Sequence, residues 1–269
     1  MTRYLVAPQW QGSPSTRAMH LIDGAEAIAG DLPRAATVRV DVPIEAGESL
    51  GTGIRRFSAV NRVAENVTTA LAASDEPAIV VGGDCGIAVP TIAHTAATHD
   101  DLVVVWFDAH ADLHSPESSP SGSLAGMALR ATFDAIDLPS GGITLDHVIL
   151  AGAREFDDAE WEFVQESGLR TLSVADLADP AALAAAVAQT GTTAVYVHVD
   201  LDVLDPAVLG GLALPVPFGL PLEHLTGAIA AIRSEARIVG ASIAGFAPSS
   251  PAAALDDLGT ILRVLGALK

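Results

Sequence analysis

The chain has 269 residues, 50% of them hydrophobic, which suits one large or two small α/β domains with a sizeable core and excludes a disordered chain. Acidic residues outnumber Lys and Arg by 33 to 14, and the formal charge of −19 argues against nucleic acid and anionic membranes as partners. No apolar run reaches the ~18 residues of a membrane span, and residues 1–10 show no basic flank before an apolar segment, so we expect no signal peptide and a cytoplasmic location.

Apolar runs of strand length alternate along the chain with helical patterns. Several runs are apolar at consecutive positions, which is typical of strands buried on both faces of a parallel sheet. The strand candidates are residues 3–7, 36–43, 78–83, 102–109, 147–153, 169–174, 194–202 and 236–245. The alternation predicts an α/β fold, a single three-layer α/β/α domain over residues 1–269 with a mostly parallel central sheet of about eight strands.

Two segments have the apolar spacing of three and four that indicates an amphipathic helix. The first contains Phe57, Val60, Val63, Val67 and Leu71. The second, near the end of the chain, contains Leu255, Leu258, Ile261, Leu262 and Leu265. Residues 114–123 (HSPESSPSGS) instead predict a loop. This loop directly follows a predicted strand, where open α/β sheets place their ligands.

Acidic side chains crowd the ends of two predicted strands, as Asp108-x-His110-x-Asp112 and as Asp200-x-Asp202. Residues two apart point to the same side of an extended segment, so each cluster can aim its side chains at one point. Four carboxylates and an imidazole would repel one another in a dry crevice unless divalent cations neutralised them. Such an oxygen-rich site suits manganese best, with other divalent metals as alternatives, and a metal pair can activate water. The competing interpretation is that these carboxylates only cap turns.

A third strand end carries the segment VVGGDCGIAVP, residues 80–90. Gly82 and Gly83 allow close backbone approach, and Asp84 and Cys85 lie at the turn itself. Cys85 is the only cysteine and therefore forms no internal disulfide. It is either a small buried hydrophobic residue or a thiolate metal ligand.

Three motifs, in this order, resemble those of the ureohydrolase family of arginases, agmatinases and formiminoglutamases, dimanganese enzymes that hydrolyse guanidino groups. GGDC (82–85), DAHAD (108–112) and DLDVLDP (200–206) correspond to G-G-D-H, D-A-H-x-D and D-x-D-x-x-D-P in that family. The resemblance extends over most of the chain. It implies a site for one or two Mn²⁺ ions, or another divalent metal. The implied metal ligands are Cys85, Asp108, His110, Asp112, Asp200 and Asp202.

The segment 112–127 is similar, without gaps, to the arginase branch of the family. In that branch the corresponding loop holds the substrate's α-carboxylate, and an acidic residue after a G-x-R segment holds the α-amine. The resemblance thus implies an amino-acid substrate rather than agmatine, although plain loop composition is an alternative explanation of the two serines. The implied substrate-binding residues are His114, Ser121, Ser123 and Asp157, and the implied catalytic residues are Asp112 and His114.

The chain departs from the family pattern at three positions. Cys85 replaces a metal-binding His, Ala125 replaces a loop His that is thought to shuttle protons, and Gly245 replaces the Glu that pairs with the guanidinium. A branch that hydrolyses N-hydroxyarginine is similar in the first two respects. A hydroxyguanidine is less basic than a guanidine, which would reduce the need for an acidic partner, although that branch keeps its Glu.

Other groups are candidates for these missing roles. The proton for the leaving amine could come from water or from His114, and Asp84 or Glu117 could pair with a guanidinium. His198, two residues before Asp200, is interpreted as a satisfied core histidine. Trp106 is interpreted as a packing residue.

The leading hypothesis is a metal-dependent hydrolase that cleaves a C–N bond of a small guanidino or N-hydroxyguanidino amino acid and releases urea or a urea derivative. One alternative is a catalytically degenerate family member that binds metal or a small ligand without turnover. Another keeps the metals and cleaves a formimino or amide C–N bond. Family members are commonly trimers or hexamers, which makes a homo-oligomer possible. The expected partner is a small molecule, not nucleic acid or membrane.

Overall fold

In a computed structural model, which describes residues 2–269, eight strands form one sheet in the order β2-β1-β3-β8-β7-β4-β5-β6. Every pair of neighbouring strands is parallel. The strands are β1 (Arg3–Ala7), β2 (Thr37–Arg39), β3 (Ala78–Gly82), β4 (Leu102–Phe107), β5 (Val148–Ala151), β6 (Arg170–Leu172), β7 (Ala194–Asp200) and β8 (Arg237–Ala244).

The helices of the chain are α1 (His20–Gly30), α2 (Phe57–Ala72), α3 (Ala88–Ala96), α4 (Asp158–Ser167), α5 (Pro180–Ala188), α6 (Leu222–Glu235) and α7 (Pro251–Ala267). Helices α1 to α6 lie in connections between these parallel strands, and α7 follows the last strand. Side chains that accept backbone N–H groups begin three of them, with Asp157 before α4, Asp179 before α5 and Ser250 before α7. Across residues 2–269, none of the helices has both the length and the apolar character needed to cross a membrane.

The two faces of the sheet bury different sets of side chains. In β4, Val103, Val105 and Phe107 pack in a cluster with residues of α1, α5, α6 and α7. Val104 and Trp106 point the other way and pack with residues of α3 and α4. Because successive side chains of a strand alternate between faces, both faces of β4 need a helical layer. The predicted three-layer α/β/α architecture with about eight strands is therefore confirmed.

The predicted strands and helices form with different boundaries. Residues 36–43 contribute only the short edge strand β2, and the predicted strand over 194–202 ends at Asp200. In α7 the expectation that Leu255 and Leu262 lie on the apolar face is wrong, since they are 71% and 37% exposed. The buried face of α7 contains the expected Leu258, Ile261 and Leu265, and it is completed by Ala254 and Val264.

Candidate metal centre

The carboxyl ends of four neighbouring strands, β3, β8, β7 and β4, meet at one cavity. Asp84 and Cys85 follow β3, and Asp108 follows β4. Asp200 is the last residue of β7, and Gly245 follows β8. The cavity has a volume of about 180 Å³, and all six predicted metal ligands line it. The sheet therefore brings the three sequence motifs together, as expected at the carboxyl edge of a parallel sheet.

Two carboxylates surround the imidazole of His110. Its Nδ1 lies 3.0 Å from Asp202 Oδ2 and 3.4 Å from Asp108 Oδ1. Backbone N–H groups hold both acids, since Ala109 N donates to Asp202 at 3.0 Å and His110 N donates to Asp108 at 2.7 Å. Burial disfavours the imidazolium, but Asp202 and Asp108 outweigh it and raise the pKa of His110 to about 12. Without a metal, the cluster therefore recruits a proton to balance its charge.

Cys85 lies in a second cluster beside the first. Its Sγ is 2.9 Å from Asp200 Oδ2, 3.7 Å from Asp108 Oδ2 and 3.3 Å from His198 Nε2. Burial and the nearby carboxylates, Asp200 first among them, raise the pKa of the thiol. Burial and Asp202 raise the pKa of Asp200 to about 7. A thiolate and a carboxylate this close together would repel each other, and a bound cation would relieve that repulsion.

Asp112 is held in an unusual backbone conformation, with φ at +52°. Its side chain is buried, and its Oδ2 has no hydrogen-bond partner among residues 2–269. Burial and the charge of Asp108 raise the pKa of this carboxyl well above its usual range. A strained residue with an orphaned buried oxygen is the kind of feature that functional sites retain.

These observations test whether the donor set fits a metal. Asp108, Asp112, Asp200 and Asp202 are all buried, and their charges exceed what His110 alone can balance. Hard oxygen donors together with one imidazole and one thiol are suitable ligands for a divalent first-row metal. The residues present therefore fit such an ion.

Asp84 also lines the cavity, but its oxygens are already bonded. It accepts hydrogen bonds from the Gln9 side chain at 2.8 Å and from Gly12 N and Gly86 N at 2.9 and 3.0 Å. Burial raises the pKa of Asp84 to about 6, although these three donors oppose the shift. Asp84 thus fixes the turn that carries Cys85, and it has no free oxygen for a guanidinium.

The position of the missing acidic partner is closed to side chains. Gly245 has φ at +86°, and a Cβ placed there would lie 2.1 Å from Asp200 Oδ1. Its N–H donates to Gly83 O at 2.8 Å, which ties the end of β8 to the turn after β3. Glu117, the other candidate partner, is exposed to solvent. A substrate in this cavity therefore meets no unbonded carboxylate from either proposed replacement.

The predicted substrate-binding residues separate into two groups. His114 and Ser121 line the cavity, whereas Ser123 and Asp157 are not part of its wall. His114 Nε2 lies 2.6 Å from Asp157 Oδ2, which links Asp157 to the cavity through the histidine. Ser123 is buried, and its hydroxyl has no hydrogen-bond partner among residues 2–269. Ala125 lines the cavity, so the wall lacks a side-chain proton donor at that position.

Glu160 is a cavity residue that the sequence analysis missed. Its Oε1 accepts from Leu113 N at 3.1 Å, and its Oε2 accepts from Asp157 N at 3.2 Å. It forms a capping box with Asp157, three residues earlier. In the sequence, an acidic residue three positions after Asp157 indicates only the start of a helix. In the fold it joins α4 to the loop that carries His114.

His198 is fully buried, as expected of a core histidine, and both ring nitrogens have partners. Nδ1 lies 2.7 Å from Ser242 Oγ, and Nε2 faces Cys85. Burial lowers the pKa of His198 to about 3, so the ring is neutral. Trp106 packs against this ring and also donates from Nε1 to Asp108 Oδ2 at 3.1 Å. Both residues therefore border the metal centre rather than only filling the core.

Known proteins are similar to the chain over most of its length. A family model described as "Arginase family" matches residues 22–256. Arginase from Staphylococcus aureus (strain MRSA252) is 30% identical over 253 residues, which cover 79% of this chain and 83% of that protein. The N(omega)-hydroxy-L-arginine amidinohydrolase of Streptomyces lavendulae is 28% identical over 193 residues, with coverage of 71% and 68%.

Solved structures share the fold. The crystal structure of Entamoeba histolytica arginase in complex with L-ornithine matches with a TM-score of 0.84 at 21% identity, covering 99% of this chain and 97% of that one. At this identity the match shows the architecture of the sheet and its helices.

Proposed function

We propose a specific function for this chain, which belongs to the arginase family of hydrolases acting on amidino C–N bonds. In this proposal it is a metal-dependent hydrolase of a small N-hydroxyguanidino or guanidino amino acid. The products would be urea or hydroxyurea and an amino acid with a free side-chain amine. We propose Mn²⁺ as the ion and the cytoplasm as the location. The observation that carries the proposal is the buried, unbalanced group of carboxylates around His110 and Cys85.

The metal would be held by the six predicted ligands. One or two bound divalent cations supply Lewis acidity and lower the pKa of water. The orphaned oxygen of Asp112 and the paired acids around His110 supply donors without rearrangement of the sheet. The protein's part is to hold these donors in place at the strand ends and to keep bulk water out of a small cavity. The ligands are Cys85, Asp108, His110, Asp112, Asp200 and Asp202.

The lack of an acidic side chain at position 245 supports the proposal of a weakly basic substrate. A guanidinium is fully charged at neutral pH and needs a counter-charge when it is desolvated. Asp84 has its oxygens bonded, and a side chain at position 245 would collide with Asp200. An N-hydroxyguanidine binds in its neutral form more readily and avoids this penalty. The similarity to an N-hydroxyarginine amidinohydrolase agrees with this choice.

The cavity mouth suits the amino-acid end of such a substrate. His114 and Ser121 provide polar atoms there, and Asp157 adds a carboxylate whose side chain is 41% exposed. In our proposal the imidazole and hydroxyl contact the α-carboxylate and Asp157 contacts the α-amine. The proton for the leaving amine would come from water, since Ala125 cannot supply one and both ring nitrogens of His114 already have partners, Asp157 and Ser118.

The test is a substrate panel on the metal-loaded protein. We expect hydroxyurea release from N-hydroxy-L-arginine to exceed urea release from L-arginine at least about tenfold, with agmatine and N-formimino-L-glutamate slower still. Metal content is measured on the same sample. A fully loaded protein that turns over none of these compounds would contradict the proposed activity and would favour the degenerate, ligand-binding alternative.

A further inference from the structure

A row of three side chains crosses the sheet directly beneath the metal centre. Trp106 on β4 is in register with His198 on β7, and His198 is in register with Ser242 on β8. Asp108 lies two residues after Trp106, and Asp200 lies two residues after His198. Because residues two apart share a face of a strand, the row and these two acids point toward the same side of the sheet.

The contacts of His198 orient its ring toward the ligands. Nδ1 lies 2.7 Å from Ser242 Oγ, a distance at which the hydroxyl can accept the Nδ1–H. Trp106 packs on the ring with the centroids 3.8 Å apart and restricts its rotation. With the proton on Nδ1, the lone pair of Nε2 points at Cys85 Sγ, 3.3 Å away. A hydrogen-bonded outer nitrogen is the usual arrangement of a metal-binding histidine.

The spacing of the donor atoms agrees with a shared ion. Ligand-capable atoms of Cys85, Asp108 and His198 all lie within 4.8 Å of one another. Nitrogen and sulfur ligands about 2.1 and 2.3 Å from one ion lie about 3.1–3.6 Å apart for angles between 90° and tetrahedral. The observed Nε2···Sγ distance of 3.3 Å falls within that interval.

We propose that His198 is a direct metal ligand through Nε2, on the ion held by Cys85 and Asp108. This inference rests on the proposed function, since it requires a metal in the site. It gives the centre two unlike positions, one with nitrogen, sulfur and oxygen donors and one with His110, Asp108 and Asp202. The sulfur-containing position favours Co²⁺, Fe²⁺ or Zn²⁺ more than the oxygen-rich position does, and the oxygen-rich position is the one that suits the proposed Mn²⁺.

The competing role is positional. If the Ser242 hydroxyl donates to Nδ1, the proton lies on Nε2 and His198 only donates a hydrogen bond to the Cys85 sulfur. That role also makes metal affinity sensitive to His198, because removal of an outer partner lowers affinity about 10–100-fold. Affinity alone therefore does not separate the two roles, whereas the number of coordinated imidazoles does.

The experiment loads the full-length protein with Co²⁺ and counts coordinated imidazoles by X-ray absorption, without relying on turnover. We expect two imidazoles per wild-type chain, from His110 and His198, and one in His198→Gln. The matched control His94→Gln, a partly buried histidine on α3 outside the cavity, keeps two. If His198→Gln does not fold, a count of two in both the wild type and His114→Gln decides the question, because His114 is the other histidine in the cavity wall besides His110.

The affinity for Co²⁺ gives a second measurement. We expect His198→Ser to weaken Co²⁺ binding at least about 100-fold, beyond the loss that removal of an outer partner causes, whereas His94→Gln leaves the affinity unchanged. One imidazole in the wild type, or an unchanged count in His198→Gln, overturns the inference and leaves the proposed function standing. A wild-type protein that takes up no divalent metal overturns both.

Discussion

The floor and the wall of the cavity differ in how the chain positions them. The floor, made of Asp108, Asp200 and their neighbours, lies at the ends of buried parallel strands and is held by backbone N–H groups. The wall, which includes His114, Ser121 and Ala125, lies on a loop that follows β4. Of the three departures from the family motifs, Cys85 is in the floor, Ala125 is in the wall, and Gly245 lies where the two meet. In our proposal, metal binding depends on the floor, and contact with the amino-acid end of the substrate depends on the wall.

The largest expected effect comes from breaking the floor. In Asp200→Asn the carboxylate beside Cys85 and Asp202 is lost, together with one charge of the metal site. We expect metal affinity to fall by more than the about 10–100-fold typical of an outer-shell change, and hydrolysis to fall to background. Equilibrium dialysis and urea or hydroxyurea release measure the two effects.

The control for this change is Asp256→Asn, on the exposed side of α7. It alters the net charge equally and leaves the site intact. If Asp200→Asn bound metal as tightly as this control, the floor would not be the metal centre.

The next effect concerns the boundary between floor and wall. In Gly245→Ala the new Cβ would lie 2.1 Å from Asp200 Oδ1, in addition to the strain of φ at +86°. We expect the free energy of unfolding to fall by about 3 kcal/mol. Gly191→Ala is the matched control, because its φ is +72° and nothing lies within 4 Å of its Cβ. Left-handed strain alone costs the control about 1–2 kcal/mol.

Urea unfolding of the two variants and the wild type measures this difference. Equal destabilisation of both variants would show that Asp200 moves aside freely. In that case contact with Asp200 would not be what closes position 245 to side chains.

The smallest expected effect comes from Asp157, which lies outside the wall and contacts the wall residue His114. Asp157→Ser keeps a side chain that can cap α4 but removes the carboxylate that contacts His114. We expect KM for an α-amino-acid substrate to rise about two- to fivefold, the size of one charged contact at a partly exposed position. The free energy of unfolding should change by less than about 1 kcal/mol.

Asp179→Ser makes the same substitution at the cap of α5, away from the cavity. Steady-state kinetics and urea unfolding of both variants complete the comparison. An unchanged KM in Asp157→Ser, or an equal rise in both variants, would remove Asp157 from substrate binding.

The sequence was most informative where the sheet alone determines position. Consecutive apolar residues predict the eight strands, and parallel strands bring Asp108 and Asp200 to one edge. The strand alternation used to group Asp200 with Asp202 does not extend that far, because β7 ends at Asp200 and Asp202 lies in a short 3₁₀ turn. The two acids still converge, because Asp202 N donates to Asp200 Oδ1.

Loop geometry and long-range pairing were beyond the sequence. Nothing local predicts that Asp112 has φ at +52°, that Ser123 is buried outside the cavity wall, or that His114 pairs with Asp157. These features depend on contacts between the loop and the start of α4, which are distant from each other in the sequence. The closed position at Gly245 likewise depends on the proximity of Asp200, which is 45 residues earlier in the chain.

The most direct test of the metal centre is a crystal structure of the full chain grown with excess Mn²⁺ or Co²⁺, with anomalous diffraction at the metal edge. The account predicts anomalous density between the ends of β4 and β7, within bonding distance of carboxylates from both strands. Crystals that hold no metal between these strand ends, despite saturating concentrations in solution, would contradict it.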